Sequence, residues 1–442
     1  MNTFDLIVRG GTIVNHAGEG VGDVGIAAGK IAAIGNLGPL TADQEFDARG
    51  LHVLPSEIDT QVHFREPGNE HKEDLETGMR GAALGGVTAI FEMPNTAPPT
   101  TNAEAIADKF ARAKGRAHVD HAFYVGATDE NADQLGELER LPGVCGVKTF
   151  MGSSTGTLLV GDDDGLDRVV RNINRRGAFH AEDEARLNER KKLAREGDWS
   201  SHAEVRDDQA GLIAVQRLVA AARKHRKRVH VLHVSSGIEM EFLATAKDVA
   251  TVETLPQFLT FKAPEVYERL KGFAQMNPPI RYAKDQAALW SLGIAQGVVD
   301  IIATDHAPHT REEKEQPYPK SPSGMPGVQT LVPVMLTHVN EGRLSLARFV
   351  DLASHGPQRV FGIAEKGRIA LGYDADLTLV DMKARRVIRS QDQATRAGWT
   401  PFDGFEAKGW PMATIIRGQI VMRDGELVTS GAGMPMRFLE AL

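Results

Sequence analysis

The side chains able to do chemistry recur at one kind of place, the C-terminal end of a strand-sized apolar run. EIDTQVHF leads into Gln61, His63 and Arg65; GVTAIFEM is followed by Asn95; GVKTFM carries Lys148, GAFHAE carries His180 and RVHVLHV carries His233. VVDIIATD ends in Asp305, with His309 four residues on. A lone strand histidine is ordinarily a hydrogen-bonded core residue, and a lone lysine a salt-bridge or phosphate partner. Three histidines in register with an aspartate point instead to zinc or a similar divalent ion with an open position for water. Lys148 carries the wrong charge for a metal ligand unless CO2 converts it to a carbamate. The Arg65 guanidinium fork, with Asn95 beside it, has the shape to grip a substrate carboxylate.

Such residues need a frame that brings strand ends together. Eight apolar runs, at 57–64, 86–93, 118–125, 146–151, 177–182, 228–234, 248–254 and 298–305, alternate with helix-sized amphipathic stretches such as 70–84, 103–114, 203–224 and 283–296. In 203–224 the apolar Val205, Leu212, Val215, Leu218, Val219 and Ala222 recur at three- and four-residue steps and form one stripe to bury. Eight such units predict an α/β fold, a (β/α)8 TIM barrel over 55–361 with its active site at the C-terminal strand ends. An open doubly wound sheet would carry a Gly-rich turn after its first strand, and this chain has none there. Residues 1–54 and 362–442 read as short strands between glycine turns, so the two chain ends are expected to form one small composite β-sandwich.

Composition narrows the function. With 59 acidic residues against 51 Lys and Arg, the formal charge is -8, which argues against nucleic-acid binding. No apolar run approaches the roughly 18 residues needed to span a bilayer, and the N-terminal stretch lacks a signal-peptide pattern. A single cysteine, Cys145, allows neither an internal disulfide nor a multi-cysteine metal site. The expectation is a cytoplasmic protein acting on a small molecule.

Several stretches together resemble one family. QVHFREPG at 61–68, EMPNT at 92–96, GVKTFMGSSTG around Lys148, HAEDE at His180, HVSS at His233, MNPPIR at Asn277, ATDHAPH at Asp305 and the tail GRIALGYDADLTLVD are similar to the cyclic-amide hydrolase branch of the amidohydrolase superfamily. Within that branch they are most similar to dihydroorotases of the larger bacterial type. The resemblance covers essentially the whole chain. It implies that His63, a carboxylated Lys148 and Asp305 hold one metal, and that Lys148, His180 and His233 hold a second. It further implies that Arg65, Asn95 and His309 grip the substrate carboxylate, that Asn277 contacts the ring, and that Asp305 moves the proton. The reaction implied is hydrolysis of dihydroorotate to N-carbamoyl-L-aspartate and its reversal in pyrimidine biosynthesis, in a homo-oligomer, dimer or tetramer.

Two departures from the family pattern bear on function. The usual His-x-His pair is Gln61-Val62-His63 here, after an altered Pro55-Ser56-Glu57. A glutamine carbonyl is a weak or vestigial zinc ligand, so one tight and one loose ion are expected. LPQFL at 255–259 lies between the patterns of dihydroorotases and hydantoinases. Two alternatives therefore stand: a hydantoinase- or allantoinase-like hydrolase of another cyclic ureide or imide, and a catalytically inactive structural partner of aspartate carbamoyltransferase.

Overall fold

The computed structural model describes residues 4–429 and 431–439. The chain opens with β1 (Phe4–Asn15), β2 (Gly18–Ala27), β3 (Lys30–Gly35), β4 (Ala42–Asp47) and β5 (His52–Pro55). Then come β6 (Ile58–Val62), β7 (Ala89–Glu92), β8 (Asp120–Gly126), β9 (Val144–Phe150), β10 (Gly177–His180), β11 (Val229–Val231), β12 (Ala250–Thr254) and β13 (Ile301–Ile302). The chain returns through β14 (Leu377–Val387), β15 (Glu406–Ile416), β16 (Gln419–Arg423) and β17 (Glu426–Leu427).

β6 to β13 form one parallel sheet in sequence order. The sheet closes on itself where Val62 pairs in parallel with His306 and the His63 amide donates to the His306 carbonyl at 2.7 Å. All eight strands fall on the runs read from sequence, and the architecture is the expected TIM barrel. The lower interior is apolar, packed with Ile58, Ala89, Phe91, Ala122, Tyr124, Cys145, Ala178, Leu232 and Ile301, and plugged by Phe361 and Phe438. Outward-facing Ile90, Phe123, Val147, Phe179 and Val231 pack under the helices. This alternation follows from the two-residue period of a strand.

Most helices begin just after a polar cap: Asp74, Asn102, Asp162, Asp183, Asp207 and Ser236 each accept a backbone N–H from the first turn. Each such cap is worth about 1 kcal/mol. The expected helix over 203–224 is in fact two, Ser201–Val205 and Asp208–His225. Asp207 caps the second, while Arg206 turns its guanidinium onto Glu182, so a cap and a buried ion pair override an uninterrupted apolar stripe. The stretch over 283–296 starts as the α-helix Ala283–Ala288 and widens into a π-type segment over Leu289–Ala295.

Strands from both chain ends share a nine-stranded sheet. β5 pairs antiparallel with β14, Val53 opposite Leu379, so the first and last parts of the chain are joined by a ladder. The sheet curls around its own core of Leu6, Val24, Ile26, Phe46, Val53, Leu377, Leu379, Ala413 and Ile415.

Candidate active site

The C-terminal strand ends line a small, partly open cavity. Gln61, His63, Arg65, Asn95, Lys148, His180, His233, Asn277 and Asp305 all face it, joined by Phe150, Thr155 and Gly324. His309 does not line the cavity. Its Nε2 lies 3.0 Å from the Ser323 carbonyl and 3.3 Å from Arg65 Nη2, so it stands behind the guanidinium.

Three of these residues hold left-handed backbone that a side chain adopts only under local constraint: Arg65 (φ 64°), His233 (φ 39°) and Asp305 (φ 49°). Each sits where a strand turns into its loop, and the turn aims the side chain inward. The loop after Arg65 requires glycine at position 68, where φ is 101° and a Cβ would lie 2.1 Å from the Ala97 carbonyl.

The hydrogen bonds fix which atoms remain for a ligand. Asn95 Nδ2 donates to the Thr155 carbonyl at 2.8 Å, which turns Oδ1 toward His63 Nδ1, also 2.8 Å away. His63 therefore donates through Nδ1, and burial lowers its pKa and keeps the ring neutral. Its bare Nε2 faces Asp305 Oδ1 at 3.0 Å, lone pair toward lone pair. On the other side His180 Nε2 donates to Glu182 Oε2 at 2.8 Å, leaving Nδ1 bare and 3.0 Å from His233 Nε2. Gln61 Nε2 donates to Asp305 Oδ1 at 3.0 Å, and Gln61 Oε1 is buried with no partner. Lys148, 1% exposed, also has a buried Nζ with no hydrogen-bond partner, and burial brings its pKa down to about 7.

Unshared lone pairs converging in a buried space are what a bound cation resolves, and unsatisfied buried polar atoms otherwise cost about 1–3 kcal/mol each. The donor set fits a divalent ion. Among the described residues no three His, Cys, Asp or Glu side chains could hold an ion by themselves. The two pairs, His63 with Asp305 and His180 with His233, need a further ligand, and Lys148 lines the same cavity.

Structure adds residues that the sequence reading passed over. Glu182, two positions after His180, is gripped by Arg206 at 2.5 Å, and despite burial this pairing holds its carboxyl well below the usual range. An ionised Glu182 fixes the His180 tautomer and the orientation of its ring. Glu253 accepts from Thr60 Oγ1 at 2.9 Å and from the His233 amide at 3.3 Å. Asp59 accepts from both Thr304 N and Thr304 Oγ1 beneath Asp305. All three are acids at inward positions of otherwise apolar strand runs, and that is the signal which could have found them. The segment 321–327, whose Ser323 and Gly324 line the cavity, is pegged there by Lys314, whose Nζ donates to the carbonyls of Gln275, Pro322 and Gly324 at 2.7–3.0 Å.

Arg206→Ala removes the countercharge from a buried carboxylate, so we expect a loss of about 3–5 kcal/mol of stability, read as a shifted urea midpoint. Because pairing depresses the folded-state pKa of Glu182, the stability it contributes is present above the ordinary glutamate pKa and lost as pH falls through the depressed one. The variant's deficit should accordingly narrow in acid. An unchanged midpoint at neutral pH would show that the pair is not a structural anchor.

Comparison with known proteins identifies the family. Residues 52–421 match the Amidohydrolase family. The chain is 36% identical to the dihydroorotase of Methanosarcina acetivorans, covering 94% of this chain and 91% of that protein. It is 37% identical to the allantoinase of Rubrobacter xylanophilus, covering 99% and 98%. Among solved structures, the L-hydantoinase of Arthrobacter aurescens superposes with a TM-score of 0.93 at 29% identity, covering 98% of this chain and 100% of that one. The chain belongs to the amidohydrolase family. It is a hydrolase of the cyclic-amidohydrolase branch, and that membership implies a divalent metal ion.

Proposed function

We propose that the protein hydrolyses dihydroorotate to N-carbamoyl-L-aspartate and catalyses the reverse ring closure. One observation carries the choice of substrate. Arg65 is 4% exposed and lines the cavity, yet among the described residues no carboxylate lies within ion-pair distance of it. Its Nε donates to the Pro308 carbonyl at 3.1 Å, and burial lowers its pKa only to about 10, so it remains a cation at neutral pH. A buried guanidinium with no directly paired carboxylate in a substrate cavity favours a ring that bears one. The dihydroorotase relatives support this reading. The allantoinase relative, matched over 99% of this chain, favours a second one in which a neutral ureide ring is opened. Turnover of dihydroorotate, allantoin and hydantoin by the metal-loaded protein separates the two. A strong preference for a neutral ring would overturn the first, and no turnover of any ring would favour an inactive scaffold.

In this reading His63, Asp305 and a Lys148 carbamate would hold one ion, and His180 and His233 with that carbamate would hold a second, zinc being suited to both sets. A divalent cation supplies Lewis acidity, making water a competent nucleophile near neutral pH and polarising the scissile carbonyl. Arg65 and Asn95 orient the ring through its carboxylate, with His309 bracing Arg65 from behind. Asn277, whose Nδ2 lies 3.3 Å from Ser154 Oγ, borders the ring's far side. Asp305 accepts the proton of the attacking water and returns it to the leaving ring nitrogen, acting first as base and then as acid.

Gln61 weakens one ion position, because its amide nitrogen is engaged with Asp305 and only the carbonyl oxygen is left to offer. Stepwise chelation should therefore strip one ion well before the other. Gln61→His should raise the affinity of the loose ion by about tenfold or more without abolishing turnover. Two equally tight ions in the native protein would contradict this account of Gln61.

A further inference from the structure

At the opposite end of the barrel from the active site lies a recess of about 900 Å3, partly open to solvent. Arg175, Arg176, Arg226, Lys227, Arg228 and Arg359 line it, and among the described residues no carboxylate does. This concentration of positive charge stands out on a chain whose formal charge is -8. Its cause is topological. β10 and β11 are neighbours with Gly177 opposite Val229, so the residues preceding them, Arg176 and Arg228, are set side by side.

A basic patch at a helix C-terminus often does no more than complement the helix dipole. The helix Asp208–His225 meets that need with other residues: Arg223 pairs with Asp248, while Lys224 and His225 pair with Asp167. Arg226 and Arg228, by contrast, make no side-chain hydrogen bond or ion pair among the described residues. Arg176 is half-buried, its Nη1 held 3.3 Å from both the Val229 carbonyl and Thr251 Oγ1. Lys227 is likewise fixed, donating to the Ile173 carbonyl at 2.6 Å. Arg359 shares its charge with a carboxylate, Asp351 at 3.2 Å. Val360 and Phe361 supply an apolar wall beside the cations.

We propose that this recess binds a small phosphorylated anion carrying two or more phosphate groups. Like charges brought together repel one another, and guanidinium forks match phosphate oxygens bidentately. A concave site with fixed cations and one apolar wall suits a compact ligand with an uncharged portion.

Titration calorimetry of the full metal-loaded protein with inorganic tripolyphosphate tests this. We expect one site per chain, weakened by added salt. The variant R226Q/R228Q should lose affinity by about tenfold or more while ring hydrolysis stays unchanged, since neither side chain faces the active site. R223Q/K224Q, which removes the paired cations of the adjacent helix end, should bind as the native protein does. The proposal is overturned by absence of binding, by equal losses in the two variants, by sulfate binding as tightly as tripolyphosphate, or by selective binding of duplex DNA or polyglutamate instead.

Discussion

Lys148→Ala should lose turnover and metal together. Kcat is expected to fall by roughly a thousandfold or more, about 4 kcal/mol of transition-state stabilisation, with bound metal per chain falling in parallel. The fold should survive, because the deleted ammonium has no hydrogen-bond partner to strand. The lost side-chain packing costs about 2 kcal/mol, well inside the usual margin of a domain this size. Short carboxylates such as propionate should restore part of both metal and rate by filling the vacated space with an oxygen donor. A general collapse of the site would not respond to them, so rescue separates a ligand role from a structural one. Full metal and full rate in the variant would reduce Lys148 to an inert buried lysine.

The barrel was legible in the sequence because its signals are local. Each strand is a short apolar run, the helices alternate with them as amphipathic stretches, and most of the site residues sit where one becomes the other. Eight of the side chains singled out at strand ends meet in one cavity for that reason, joined by Asn277 from the loop after the seventh barrel strand. Pairings between distant segments were less legible. The break at Arg206 depends on Glu182, 24 positions away, and nothing in the 203–224 periodicity announces it. The role of Gln61 turns on an amide orientation set by Asp305, across 244 positions. The resemblance assigns His309 to the substrate carboxylate, while its contacts with the Ser323 carbonyl and with Lys72 Nζ, 237 positions away, are not announced by its motif. Inward acids such as Glu253 escaped notice because a strand run is read by its apolar majority, and burial that pushes a carboxyl pKa up to about 8 is visible only once the barrel closes.

Arg65→Lys is expected to cut kcat/KM for dihydroorotate by about 100-fold while leaving the fold, the metal content and any slow turnover of neutral rings unchanged. The substitution keeps a positive charge, so simple electrostatic attraction survives, but it removes the planar fork that meets both oxygens of a carboxylate. Charge-assisted hydrogen bonds are worth about 1.5–3 kcal/mol each, and losing one of the two accounts for the predicted factor. Lysine also gives up the Nε donation to the Pro308 carbonyl, which aims the guanidinium, so the remaining ammonium is free to miss its target. If the clamp works equally in the ground and transition states, the loss falls on KM; if it tightens as the ring opens, it falls on kcat. Either split supports a carboxylate partner for Arg65. An unchanged kcat/KM for dihydroorotate would remove the clamp, and with it the observation that favours an acidic ring over a neutral one.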